Sequence, residues 1–433
     1  MTISLINYIF IVFFIFFSLA VKLNYEPSFY VVSLLSWITI FINTIVIFRE
    51  SNRIINPLSC FFISTLVFIL SRPLLSLFID GDIISVGNSI TNANVVFTLC
   101  FVMITILFII NFSKSLRVPS FYILHSMPDF KYYNVGIARC SVFFACAFSL
   151  FFLYCSYGNY IILKGGISYF DFIDNINTEY FKYFFISKYF LIVYMILSKN
   201  NKSFLVSSFI LFLASLGFIL IGLRGYTIAY CFLFLIVFDM YYRITLKGLI
   251  FLAMLLVFIS SYALSFRLGY NVFEGDNPLT IIIKTLFQQG ASFEVVFGAT
   301  SFSEDIKKCI NYVDYLGGED FGHCVDVSRG VVFEQGGFAS SFFAELFYFL
   351  PFSPFIILLF SFFLALVQSC HGLYKDTNFS CKKSMLMIFF LTPNLVYFAR
   401  SSVFDFIEKS FQSIIFLFFI FYCLKLVRKG GLA

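Results

Sequence analysis

The sequence predicts an all-α, polytopic integral membrane protein of about twelve transmembrane helices, and three observations predict it. Hydrophobic residues make up 61% of the chain and charged residues only 12%, about half the charged share of an ordinary soluble domain. Mean hydropathy is +0.95. Apolar runs of about 20 residues, long enough to cross a hydrocarbon core, recur along the whole chain. Lys and Arg are dense on alternate connections between these runs and sparse on the others, the bias that the positive-inside rule describes.

The first run, 3–21, lacks a basic start and is long enough to span, so it is expected to stay as the first helix instead of being cleaved as a signal peptide. Runs at 29–48, 57–79 and 92–112 follow. The third carries Arg72 beside Pro73, and a cation at that depth needs a cavity or a partner. Beyond the inner connection 113–137 lies the run 138–158. The outer connection 159–182 mixes aromatics with acids as an interfacial segment does, and runs 183–198, 203–221, 226–243 and 248–266 come after it. Lys188 is the other deep cation. The last three runs are 344–369, 384–399 and 407–424. With the N-terminus inside, about sixteen Lys and Arg, among them Arg49, Arg53, Lys114, Lys202 and Lys382, lie on inner connections, and about six lie on the short outer ones (Lys22, Lys164, Lys182, Arg224, Arg400 and Lys409).

That placement puts the long polar stretch 267–343 outside, between the ninth and tenth runs of a single membrane domain, 1–433. A loop of this length is usually functional. Within it Leu279 to Phe287 and Val295 to Ile310 show helical periodicity, which predicts short amphipathic helices on the membrane surface. Cys309 and Cys324 share the loop, and an oxidising compartment would let them pair. Most other cysteines sit in apolar runs as small hydrophobes. Phe is abundant, at 67 residues, and reads as packing and lipid-facing filler.

Three constellations could carry chemistry. Gly222, Leu223, Arg224 and Gly225 form a near-loopless hairpin on the side poor in positive charge. Arg224 either snorkels to headgroups or uses its guanidinium fork on a phosphate that the flanking glycines let approach. Arg267 and Arg400, at the outer ends of the ninth and eleventh runs, and Arg72 would complete a ring. The second constellation is Ser328, Arg329, Gly330, Glu334, Gln335, Gly336, Gly337, Ser340, Ser341 and Glu345. The glycines let backbone amides meet an anion, and Ser341 and Glu345, four apart, share a face as the tenth helix begins. Glu345 either complements that helix's dipole or stands near a reacting sugar. The third, Asp80, Gly81 and Asp82, is either a turn or a metal-binding acidic pair, and the turn is the commoner reading.

Other motifs are missing. The sequence has no phosphate loop, zinc-protease spacing or zinc-type cysteine cluster, so no metal and no cofactor is expected. His125, His323 and His371 are scattered. The placement of Lys and Arg, more than the net charge of +6, sets topology, and no nucleic-acid partner is expected.

At Gly336, Gly337, Ser340, Ser341 and Glu345, with Gly222 to Gly225 upstream, the chain resembles bacterial O-antigen polymerases of the Wzy type. The resemblance covers essentially the full length through its spans, its late large loop and the flanking arginines. An Arg-to-Gly spacing described for some members is not reproduced, because eleven residues beyond Arg267 stands Pro278 and beyond Arg329 stands Ser340. The resemblance implies an all-helical fold of the membrane glycosyltransferase type in the bacterial inner membrane, with its active site toward the periplasm. It also implies polymerisation of undecaprenyl-diphosphate-linked oligosaccharides, membrane lipid around the chain and a chain-length regulator as partner. On this reading Arg224, Arg267, Arg329 and Glu345 are catalytic, and Arg400, Arg72, Gly336, Gly337 and Ser341 bind substrate. An O-antigen ligase, which would need His323 as its periplasmic histidine, and a flippase of the same lipid-linked unit are the alternatives. A flippase would place more cations inside the spans than Arg72 and Lys188.

Overall fold

Helices begin where the sequence supplies groups that satisfy the free amides of a first turn. The computed structural model describes residues 3–25, 27–51, 53, 55–76, 78–79, 91–126, 134–164, 178–200, 202–245, 247–248, 250, 254–255, 257–262, 277–309, 321, 324–325, 341–349, 351–373 and 381–429, and among these every regular element is helical. Asn56 caps α3 (Pro57–Leu75) through a reciprocal pair of bonds with Ser59, and Pro57 takes the first helical position, where no N–H is needed. Thr91 caps α4 (Asn92–Ser115). Before them come α1 (Ile3–Lys22) and α2 (Phe29–Ser51). After them come α5 (Arg117–Ser126), α6 (Val135–Lys164), α7 (Phe181–Leu197), α8 (Ser203–Leu220) and α9 (Arg224–Tyr241). The long polar stretch contributes α10 (Pro278–Gln289), α11 (Ser292–Ser301) and α12 (Ser303–Cys309). The chain ends with α13 (Phe342–Tyr348), α14 (Ser353–Leu373), α15 (Cys381–Tyr397) and α16 (Val403–Lys429).

The protein is a multi-pass membrane protein. Among the described residues seven helices, α1, α2, α3, α4, α6, α8 and α14, are long and apolar enough to cross a membrane. Four more, α7, α9, α15 and α16, stand where the sixth, eighth, eleventh and twelfth runs were expected. The tenth run differs from expectation. It is two helices, because Pro351 and Pro354 cannot supply the amides that a continuous helix would need, and α13 stops at Tyr348 before α14 starts at Ser353.

Interhelical contacts sort the helix ends. At one end Lys114 meets Glu50 at 2.5 Å, Arg53 meets Asp239 at 3.2 Å, and the Lys382 ammonium donates to the Ile196 carbonyl at 3.1 Å. These are cations that the charge bias places inside. The opposite end gathers the end of α3, the starts of α4 and α9, the end of α15 and the start of α16. Buried α4 packs against α1, α2, α11 and α14. Leu5, Val12 and Phe16 of α1 and Phe418 and Phe419 of α16 are exposed, as lipid-facing residues are.

In the long polar stretch, α11 corrects the expectation of surface helices. α11 is buried along its length, with Phe293 and Val296 fully so, between the upper part of α3, α4 and α13. Sequence periodicity reports that a helix has an apolar face, and protein covers that face here as well as lipid could. Cys309 and Cys324 form a disulfide, with their Cα atoms 5.5 Å apart.

Candidate functional site

The site is built on a distortion in α3. Pro73 has no N–H, and its ring crowds the carbonyl one turn earlier. The preceding turn, Leu66–Leu70, opens to π geometry, a form often found at functional positions. Ser71 then donates to both the Val67 carbonyl (2.7 Å) and the Leu286 carbonyl of α10 (2.9 Å). The α10–α11 junction reaches this close only because residue 290 is glycine. A Cβ there would lie 2.7 Å from the Arg72 amide nitrogen and 2.6 Å from Ser71 Oγ. Arg72 is 3% exposed and makes a salt bridge with Glu294 of α11, while its guanidinium carbon lies 4.5 Å from the centre of the Phe287 ring. The expected partner is therefore a carboxylate that returns from the outer stretch.

Arg400 stands in a different state. It is half-buried in the short turn Phe398–Arg400 that ends α15. Its guanidinium carbon lies 5.6 Å from the Phe68 ring centre, and one Nη reaches the amide oxygen of buried Gln289 at 3.5 Å, a long contact. Nε of Arg400 and Nε2 of Gln289 are buried without a hydrogen-bond partner. Among the described residues no carboxylate balances Arg400, in contrast to Arg72.

Ser341 and Glu345 brace the same end. Ser341 Oγ donates to the Ala399 carbonyl at 3.1 Å, which ties α13 to the residue before Arg400. Glu345 is fully buried, and its carboxylate accepts from the Val403 amide at 2.7 Å. It thus complements the dipole of α16 as well as standing in the first turn of its own helix. Beneath them Phe61, Phe342, Phe360, Phe398 and Phe406 pack ring on ring, with centroids such as Phe61–Phe398 4.9 Å apart. Phe serves the interior here as well as the lipid face.

The Gly222 to Gly225 hairpin resolves into two structural glycines. Gly222 has φ 80°, and with Leu223 it closes α8 by returning amides to Ile219 and Phe218, a Schellman cap. Gly225 lies against the Tyr397 ring, into which a Cβ would run. Space for a ligand is thus not what Gly225 provides. The hairpin instead brings the start of α9, where Arg224 stands, onto the end of α15 three residues before Arg400.

Beside this junction a cavity of about 320 Å³ lies between α7, α9, α15 and α16. Tyr226 and Tyr397, stacked with centroids 5.2 Å apart, line it together with Lys188, Ser401, Asp405 and Lys409. Sequence reading flagged Lys188 and Arg400 and missed the tyrosines, Asp405, Gln289 and Glu294. Asp405 and Lys409, four apart at the start of a span, were the available signal. Arg267, Arg329, Gly336 and Gly337 lie outside the described residues, as do Asp80, Asp82 and His323. No group of three or more metal-ligating side chains occurs among the described residues.

The fold and the site thus define a multi-pass helical membrane protein with an aromatic-walled cavity near an arginine that no described carboxylate balances. Sequence comparison makes the class specific. The family model for O-antigen polysaccharide polymerase Wzy matches residues 5–316, and the chain belongs to that family. It is also similar to an O-antigen polymerase of Escherichia coli, at 39% identity over 396 residues, 89% of this chain and 87% of the relative. No solved structure matches it. The matched family span takes in Arg72, Arg224 and Arg267 and ends before Arg329.

Proposed function

We propose that the chain polymerises undecaprenyl-diphosphate-linked O-antigen repeat units at the periplasmic face of the inner membrane by glycosyl transfer, with release of undecaprenyl diphosphate. Family membership supports repeat-unit polymerisation. The observation that carries the reading is Arg400, half-buried, unbalanced by any described carboxylate and adjacent to a residue that lines the cavity. A hydroxyl of one unit attacks the anomeric carbon of the other, and negative charge builds on the departing diphosphate. Guanidinium groups aimed at that position stabilise the transition state more than the ground state.

In this reading Arg400, at the end of α15, binds the diphosphate, and Arg224, at the start of α9, is a further donor to it. Arg267, Arg329, Gly336 and Gly337 supply further donors from the outer loop 267–343. Arg72, already paired with Glu294, holds α11 in place. Ser341 and Glu345 fix the Arg400 turn and the start of α16. The Cys309–Cys324 bridge supports an oxidising, periplasmic side for this end. A chain-length regulator is the expected protein partner.

Deleting the gene and resolving lipopolysaccharide on a gel tests the reading. A single-repeat band is expected, whereas complete loss of O-antigen would mean that the chain is a ligase or a flippase. Arg224→Ala, Arg267→Ala and Arg400→Ala should each abolish or shorten the ladder at matched protein levels. Losing a charge-assisted hydrogen bond costs on the order of 1.5–3 kcal/mol, and each 1.4 kcal/mol is about tenfold in rate. Arg→Lys keeps the charge but loses the fork, so partial activity is expected. Full recovery with Lys would reduce these residues to snorkelling anchors.

A further inference from the structure

The diphosphate reading leaves most of the cavity's chemistry unused. The Tyr226 ring is fixed from behind by Phe218 at 4.9 Å and stacks on Tyr397, so one wall is a rigid aromatic surface. Aromatic rings with a hydroxyl at the edge present an apolar face and a polar handle together, which suits a sugar's C–H face and its hydroxyl rim. Opposite stands the first turn of α16, where Asp405 is held in two ways. Its amide donates to Ser402 Oγ at 2.8 Å, and its Oδ2 accepts from Lys409 Nζ at 2.8 Å. Oδ1 makes no hydrogen bond among the described residues, and the side chain is 48% exposed.

Two other described carboxylates near this junction are buried in structural contacts. Glu294 pairs with Arg72 and is 1% exposed, and Glu345 is fully buried on the Val403 amide. Asp405 is the acidic residue lining the cavity. The titratable groups lining the cavity with it are Lys188 and Tyr189 from α7, Tyr226 and Tyr230 from α9, Tyr397 from α15 and Lys409 from its own helix. Ser401 lines the same cavity and follows Arg400 directly.

We infer that this cavity is the subsite for the acceptor sugar and that Asp405 accepts the proton of the attacking hydroxyl. The inference rests on the polymerase reading above. In the step, the acceptor oxygen forms a bond to the donor's anomeric carbon, and that carbon's bond to the diphosphate oxygen breaks. The bonding pair leaves with undecaprenyl diphosphate near Arg400, and the acceptor proton passes to Asp405 Oδ1. Charge is conserved, because the carboxylate becomes neutral as the diphosphate gains its negative charge. A base within hydrogen-bond reach of the hydroxyl contributes roughly 10²- to 10⁴-fold to the rate.

Full-length protein in proteoliposomes, supplied with lipid-linked repeat units from a polymerase-null strain, tests this. Asp405→Asn should lower kcat by about 100-fold or more and change KM only a few-fold. An ion pair that merely holds α16 would behave differently. In the double variant Asp405→Asn with Lys409→Gln no charge is left unpaired, so a structural role predicts recovery while a proton acceptor predicts the same loss. If the single variant does not accumulate, the double variant decides alone. Normal turnover in Asp405→Asn, recovery in the double variant, or a KM rise at unchanged kcat would each overturn the inference. Wild-type protein that makes no polymer would instead overturn the polymerase reading, so the two failures are distinguishable.

Discussion

Arg72 and Glu294 show what one residue could and could not announce. A cation inside an apolar run states that it needs a partner, and Arg72 was legible on that ground. Glu294 was not, because its helix lies in the polar stretch, where a carboxylate attracts no notice until the chain folds back. With both side chains almost wholly buried, removing one charge takes a close, buried counter-charge from the other. Arg72→Met should therefore destabilise the detergent-purified protein by about 3–5 kcal/mol in thermal or denaturant unfolding, and Arg72→Met with Glu294→Met should regain most of it. Gly290 acts through space. Gly290→Ala must push Cβ against the Arg72 backbone, a strain of about 1–3 kcal/mol that should appear as a lowered midpoint. The two glycines of the α8–α9 hairpin were visible in the sequence, but their reason was misplaced. A left-handed cap at Gly222 and a tyrosine against Gly225 account for them.

Helices of twenty apolar residues were readable because length and hydropathy alone specify a span. The division of the tenth run was readable too in principle, since Pro351 and Pro354 stand in it, yet hydropathy averages over prolines. What covers an amphipathic helix is a tertiary fact, so α10 and α11 were found as helices and α11 was misplaced at the surface. The Cys309–Cys324 bridge pins the end of α12 to the segment at 324–325. With a sequence separation of 15 residues, closing that loop is worth about 3 kcal/mol on a chain-entropy account. Maleimide should therefore miss both thiols in the native protein until reductant is added. Cys309→Ser should loosen the outer stretch, seen as faster proteolysis between α12 and α13, with the spans intact. Immediate labelling of both thiols would remove the bridge.

At the scale of the molecule, the two ends of the bundle differ in kind. One collects the lysines and arginines that orient the chain, tied by Lys114–Glu50 and Arg53–Asp239. The other holds Arg400, the aromatic cavity and the returning outer helices. A periplasmic reporter should be active when fused after the α8–α9 hairpin and silent at Lys202. An active reporter at Lys202 would invert the orientation. The membrane class was legible from composition alone. The convergence of α9, α15 and α16 was not, because it depends on ring contacts between residues far apart in sequence. The most direct test of the central claim is to supply purified protein in proteoliposomes with lipid-linked repeat units and to count both products. The account predicts a ladder of lengthening glycans, with one undecaprenyl diphosphate released for each bond formed. Units that cross the bilayer unjoined, or that join only when lipid A core is added, would contradict it.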